Sequence, residues 1–293
     1  MDIVRVSDGL GNQMFQYAFA RKISIITGHK VYLDTRFINN EDLIDQGKSA
    51  YFKKKMSHRE YGLSHFNIKL PEADEKVLFP WKYICHRGKI YQIVESLASH
   101  DMWFWKYKWE DYNFDGMISE FGMIFPTYYQ GYFFDLKYFD DIRTVLQREF
   151  SLRDKIKLSH ELREILNKRN TVSIHIRRGD FLKLSRDISE SGYYQNAISI
   201  MESKIVNPFY LIFSDDIAWA RRNVVLHGEK IYVSEMGFKD YEEMAIMKHC
   251  RHNIIANSTF SFWAAYLNQN EDKTVICPKR WRSSIIPKCW ETV

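Results

Sequence analysis

The sequence predicts an α/β chain in two domains, each organised on a parallel sheet, and three observations carry that reading. From residue 171 onward, short apolar runs alternate with amphipathic stretches, as in VSIHI, then YYQNAISIMESK, then FYLIF. Such alternation makes a parallel sheet with helices on both faces. The first 34 residues open the same way, strand then helix then strand. A length of 293 residues also suits two domains of ordinary size, or one large one.

Residues 3–6 form the first strand, and Asp8-Gly9-Leu10-Gly11-Asn12-Gln13 reads as a tight turn. Residues 14–26 follow as a helix, since Phe15, Phe19, Ile23 and Ile26 recur every three to four positions. Gly28 ends it, and residues 31–34 are the second strand. From 35 to 80 the pattern weakens. Lys53-Lys54-Lys55 reads as a solvated face, and Leu63, Phe66, Ile68 and Leu70 as a strand or packed loop. Short strands are expected around Arg87-Gly88. An aromatic block follows, with Trp103, Phe104, Trp105, Tyr107, Trp109, Tyr112 and Phe114, then Tyr128, Tyr129, Tyr132, Phe133 and Phe134. It suits either sugar stacking or a satellite core, and the core is the commoner use of large rings. Helices are expected over 138–150 and 158–166. The domain boundary falls between 150 and 170, placed at 165/166, giving domains 1–165 and 166–293. The second domain then runs as strand 172–176, helix 193–204, strand 209–213, helix 217–224 and strand 231–233. Helix 241–250, strand 253–256, a helix opened by Asn257-Ser258-Thr259-Phe260, and strand 274–277 complete it.

Composition excludes several classes. A net charge of +5 with many acids present leaves no surplus for a nucleic acid. Cys85, Cys250, Cys277 and Cys289 form no CxxC pair, which weakens zinc and dithiol readings and fits a reducing compartment. No apolar run approaches bilayer length, and MDIVRVSDGLGNQ has no signal-peptide pattern, so a cytoplasmic location is expected. A dinucleotide fingerprint is suggested by Gly9, Gly11 and Asp34, but Met14 stands where the third glycine belongs. The turn instead either brings Asn12 and Gln13 to a ligand or simply caps the helix.

The most informative stretch is TVSIHIRRGDF, residues 171–181. A strand here delivers Arg177, Arg178, Gly179 and Asp180 to its carboxyl end, where open α/β sheets bind ligands. Paired guanidiniums suit phosphate oxygens, which they grip bidentately, and glycine permits close approach. The plain alternative is a solvated arginine pair with Asp180 bound locally. Ser214-Asp215-Asp216 and Asn257-Ser258-Thr259 fall at two further strand ends. Hydroxyls and free amides at a helix start favour an anion, or merely cap the helix. Asp215 and Asp216 could hold a metal or accept from a purine edge. Carboxylates beside two arginines argue for a metal-free site, in which the arginines neutralise a diphosphate. His175 is more often a strand histidine than a base.

Four stretches together, GLGNQMFQYAFA, HIRRGDF, FSDD and NSTFSFWAAYLN, resemble the family-11 glycosyltransferases, the α-1,2-fucosyltransferases, in order and spacing from residue 2 to about 280. The resemblance implies a GT-B fold of two Rossmann-like domains facing across a cleft, the first on the acceptor side and the second binding the donor. It implies inverting transfer of L-fucose from GDP-β-L-fucose to the 2-hydroxyl of a terminal β-galactoside, without metal or other cofactor. By motif, Arg178, Arg177 and Asn12 are the implied catalytic residues, with Arg178 favoured for the β-phosphate. Gly11, Gln13, His175, Asp180, Asp215, Asp216, Asn257, Ser258, Thr259 and Phe260 are the implied donor-binding residues. Asp8 departs from the small residue common there, and little consequence is expected. The partners implied are GDP-fucose and a glycan; a lipid-linked glycan would bring peripheral contact with the inner membrane.

Negative charge would grow on the β-phosphate as the sugar leaves, and preorganised guanidiniums and helix amides would stabilise it. Asp34, Asp135, Asp180 and Glu190 are candidate bases, and the departing phosphate is another acceptor. Three alternatives stay open: a different nucleotide sugar, an NAD-dependent oxidoreductase, and a non-catalytic glycan binder.

Overall fold

In the computed structural model, residues 1–39, 60–78, 106–109 and 127–293 are described. The basic run 53–55, Cys85, the strands expected near Arg87, and the block from 103 to 114 apart from one strand's backbone lie outside them. The chain divides into two units, Met1–Ser151 and Leu152–Val293. That division lies inside the 150–170 window, ahead of the 165/166 placement, so the helix His160–Lys168 goes with the second unit.

In the first unit, β1 (Asp2–Arg5), α1 (Leu10–Thr27) and β2 (Val31–Asp34) make the expected strand–helix–strand opening. With β3 (Lys106–Trp109) and β4 (Thr127–Gln130) the order is β2-β1-β4-β3, parallel throughout. The helix starts at Leu10 rather than residue 14, so Gly11, Asn12 and Gln13 belong to its first turn. The sharp bend is made by Asp8, whose φ of 67° is left-handed, while Gly9 is extended and accepts from the amides of Asn12 and Gln13. Asp tolerates this region because its short side chain bonds locally. Here Tyr132 OH donates to Asp8 Oδ2 at 2.7 Å and Gln13 Nε2 to the Asp8 carbonyl at 2.8 Å.

The described rings of the aromatic block are largely core. Phe19 stacks on Phe133 at 3.7 Å, and Phe15 meets Phe134 and Phe139 edge-on. The helix expected over 138–150 begins as two 3₁₀ turns and becomes α2 at Arg143–Glu149. Phe139 interrupts it with an extended φ of −158°, yet Phe139, Ile142, Leu146 and Phe150 are buried as their spacing requires.

The second unit begins with α3 (His160–Lys168), capped by Ser159, whose Oγ accepts from Leu162 N at 3.1 Å. Then come β5 (Asn170–Ile176), the one-turn α4 (Gly179–Lys183), α5 (Tyr193–Lys204), β6 (Pro208–Ser214) and α6 (Ile217–Asn223). They are followed by β7 (Glu229–Tyr232), α7 (Asp240–His249), β8 (His252–Ile254), α8 (Thr259–Leu267), β9 (Val275–Cys277) and β10 (Glu291–Thr292). The sheet order is β10-β9-β8-β5-β6-β7, all parallel. Residues 208–232 therefore build outward on one side of β5 and residues after α7 build outward on the other. The reversal lies between β5 and β8.

The two faces of β5 differ. Val172, Ile174 and Ile176 pack with Tyr194, Ala197, Ile198, Met201 and Ala220 from α5 and α6. Thr171, Ser173 and His175 alternate with them and carry polar groups, all buried. Asn253 Nδ2 on β8 donates to Ser173 Oγ at 2.7 Å and to the Met247 carbonyl of α7 at 2.9 Å. Asn268 Nδ2, at the end of α8, donates to Asn253 Oδ1 and to the Cys250 carbonyl, both at 2.8 Å. Buried amides this fully bonded fix one register of β5, β8 and the two helices.

Candidate functional site

β5 is paired on both edges and six of its seven residues are buried, so its carboxyl end is a rigid platform. That end sits at the reversal of strand order, where doubly wound sheets bind ligands. His175, Arg177, Arg178 and Asp180 follow from β5, Asp215 and Asp216 from β6, and Asn257 to Phe260 from β8. Three sequence-distant clusters thus share one sheet edge.

The arginine pair is held by four aspartates. Arg177 donates from Nη2 to Asp180 Oδ1 at 2.6 Å and pairs through Nη1 with Asp215 Oδ2 at 2.9 Å. Its side chain stays 24% exposed. Arg178 is buried: Nε donates to Asp216 Oδ2 at 3.1 Å, and Nη1 donates to Asp187 Oδ2 at 3.2 Å and to Ser189 Oγ. Its guanidinium lies 4.4 Å from the Trp219 ring centroid, and its backbone N–H donates to Asp215 Oδ1 at 2.8 Å. Adjacent guanidiniums do require anions, as the sequence suggests, and aspartates supply them. Asp216 also caps α6, accepting from Trp219 N at 3.0 Å; that amide and then Arg178 hold its carboxyl below the usual range.

Gly179 has a spatial reason. A Cβ there would stand 2.7 Å from Asp215 Oδ2. Because Asp215 is tied to both arginines, Gly179→Ala is expected to dislodge it and weaken binding of an anionic ligand about tenfold, read by calorimetry.

At β8, Ser258 caps α8, its Oγ accepting from Phe260 N at 3.3 Å, which is the capping role. Thr259 and Phe260 are half-buried in the first turn, with the Phe260 ring 5.4 Å from that of His175. Asn257 Nδ2 donates to the Arg186 carbonyl at 2.8 Å, while its buried Oδ1 has no partner. Burial, and next the Arg177 charge, lower the His175 pKa to about 3, and its buried Nδ1 also lacks a partner. A neutral, weakly basic imidazole reads a ligand's hydrogen bond rather than removing protons.

The N-terminal residues lie on the other unit, at the carboxyl end of β1. Gly11 is buried and Asn12 half-buried. Gln13 is fully buried, its Nε2 donating to the carbonyls of Asp8 and Glu60 and its Oε1 accepting from Gly62 N at 3.0 Å. Both donors are occupied by main chain, so Gln13 fastens the segment after residue 60; the expected donor contact does not fit this geometry. Among the candidate bases, Asp34 is fully buried, bound by Arg36 Nε and Nη2 and by Tyr128 OH. Asp180 is taken by Arg177, and Asp135 caps a 3₁₀ turn. Glu190 is exposed.

Asp187, Ser189, Trp219 and Glu243 escaped the sequence reading. Asp187 and Ser189 lie in a polar stretch that looks like any loop, and nothing local signals a partner nine residues upstream. Glu243 sits in the acidic first turn of α7, which a solvated helix start also shows. Burial raises its carboxyl pKa to about 7, although Ser234 bonds it. Ser234 Oγ in turn accepts from Ser214 N at the end of β6, at 3.1 Å. Between the ordinary 4.5 and about 7 the folded chain keeps a proton that the unfolded chain releases. Stability therefore falls as pH rises through that window and is level above it. Glu243→Gln is expected to remove that slope, worth on the order of 3 kcal/mol across it, as urea unfolding at several pH values would show.

Residues 2–288 match the family described as Glycosyl transferase family 11. The O-antigen biosynthesis glycosyltransferase WbnK of Escherichia coli is 29% identical, the match covering 94% of this chain and 93% of that one. An alpha-1,2-colitosyltransferase of Escherichia coli is 25% identical over 95% and 91%. The mouse galactoside 2-alpha-L-fucosyltransferase Sec1 is 24% identical, over 54% of this chain and 48% of its own. Among solved structures, a point mutant of Arabidopsis thaliana FUT1 in complex with GDP superposes with a TM-score of 0.53 at 12% identity, covering 98% of this chain and 72% of that one, a likeness of fold. Two parallel-sheet Rossmann-like units are the components of the GT-B architecture, and a match over nearly the whole length settles the rest: this chain belongs to glycosyl transferase family 11.

Proposed function

We propose that this glycosyltransferase moves L-fucose from GDP-β-L-fucose to the 2-hydroxyl of a terminal β-galactoside, inverting the anomeric carbon without a metal ion. The observation that carries the reading is the arginine pair beside the head of α8, at the strand reversal of a family-11 chain. Arg177, the more exposed of the two, meets the β-phosphate and stabilises the charge that grows as the C1–O bond breaks. Arg178, enclosed by Asp187, Asp216, Ser189 and Trp219, positions the cluster, the reverse of the preference drawn from motif alone. Asp215 and Asp216 are engaged by arginines and amides, so the purine edge falls to His175 and Glu243. The first unit is assigned to the acceptor, and Asn12 keeps the role that the motif implies for it. The reaction is assigned to the cytoplasm, with a lipid-linked glycan as acceptor.

Purified protein, a panel of sugar nucleotides and a β-galactoside test this, with and without a chelator. Transfer from GDP-fucose that survives chelation is the expected result; transfer from uridine nucleotides alone, or strict dependence on a divalent cation, would overturn it. The 25%-identical colitosyltransferase supports a second reading, in which the donor sugar is colitose, and a colitose donor belongs in the same panel.

A further inference from the structure

The arginine pair cannot by itself supply the positive charge that a diphosphate needs. Arg177 is bound by Asp180 and Asp215, and Arg178 by Asp187 and Asp216, so two cations stand among four carboxylates. A diphosphate entering that cluster meets excess negative charge. Yet residues 152–293 hold 22 Lys and Arg against 17 Asp and Glu, so the chain's whole +5 lies in this unit. The uncompensated cations must be elsewhere.

Arg186 is one of them, and it is placed at this edge. Its N–H donates to the Phe181 carbonyl at 3.0 Å, and its carbonyl accepts from Asn257 Nδ2 at 2.8 Å. Asn257 directly precedes Ser258, the cap of α8, and Asp187, the next residue along, grips Arg178. The Arg186 backbone is thus pinned between the head of α8 and the arginine cluster. Its guanidinium is exposed and makes no ion pair or hydrogen bond with the described residues. A solvated surface arginine needs no such anchoring, whereas a ligand-binding one does. Two further buried atoms here lack partners, Asn257 Oδ1 and His175 Nδ1. His175 is only 7% exposed and lies against Phe260 in the first turn of α8. A helix head, an unpaired fork and two unmatched polar atoms form a set that a phosphorylated ligand would complete.

We infer that Arg186 is a further diphosphate-binding residue, supplying the net positive charge that Arg177 and Arg178 lack. The inference rests on the donor reading above for the identity of the nucleotide, but not for the anion.

Calorimetry on the full chain with inorganic pyrophosphate, GDP and guanosine tests it. Arg186→Gln is expected to weaken pyrophosphate and GDP about tenfold or more, to leave guanosine unchanged, and to reduce the salt dependence of binding. Arg186→Lys should restore part of the affinity, keeping the charge without the fork. Lys230→Gln removes an equal charge from β7 and should change none of the three. Unaltered pyrophosphate and GDP binding in Arg186→Gln overturns the inference. So does an equal loss in Lys230→Gln, or a wild-type chain that binds neither anion. Pyrophosphate held through Arg186 by a chain that ignores GDP would support the anion site while removing the donor reading.

Discussion

Arg177→Lys is expected to lower turnover with the sugar-nucleotide donor about a hundredfold while the thermal midpoint barely moves. The guanidinium reaches Asp180 and Asp215 with separate nitrogens and keeps about a quarter of its surface open to a ligand. An ammonium keeps the charge but cannot hold two aspartates and a phosphate in one plane. Its loss should therefore fall on the step in which charge develops, lowering kcat more than it raises KM. Steady-state kinetics beside a melting curve reads both quantities. Turnover within threefold of the parent would remove Arg177 from the mechanism.

The largest expected effect on stability belongs to its neighbour. Arg178→Ala takes the shared cation from Asp187, which is nearly buried, and from Asp216, which is one-third exposed, and removes it from the Trp219 ring. Breaking a buried pair by deleting one partner costs roughly 3–5 kcal/mol, and the low end, about 3 kcal/mol, applies here because water reaches Asp216 and in part Asp187. Urea unfolding should show that loss, and Arg178→Lys should recover some of it. A cost under about 1 kcal/mol would mean that Arg178 is not the enclosed keystone described here. The contrast between the variants is itself informative, since one arginine should register in kinetics and the other in unfolding.

The sequence showed the sheet better than it showed the site. Alternation placed the helices other than the one-turn α4, and all but the last strand of the second unit, because runs such as FYLIF and VSIHI between helical patterns read as buried strands of an α/β chain. β10 was missed because two residues carry no periodicity; backbone bonds between Lys279, Val293 and Cys277 hold it. The strand ends carrying the clusters were also legible, since the carboxyl-end rule follows from strand direction alone. What each side chain touches was not. Gln13 looked like a ligand group and is a fastener, because the carbonyls of Asp8 and Glu60 reach it first. Asp8 looked incidental and makes the bend that begins α1. We place Arg177 rather than Arg178 at the phosphate because Asp187 and Trp219 enclose Arg178. Those partners come from a loop and a helix whose sequences announce nothing.

The amides of Asn253 and Asn268, buried beneath the sheet, also govern how finely the upper edge is aligned. A slide of β8 by one residue against β5 would strand both carboxamides in a dry interior, and each unmatched group costs about 1–3 kcal/mol. The tip of α8 therefore inherits its height from a lock at the far end of the same helix. Mutations around Ser258 and Thr259 can then alter chemistry without moving the tip. A conservative change at Asn253 should blur the alignment of every group above it while touching no ligand.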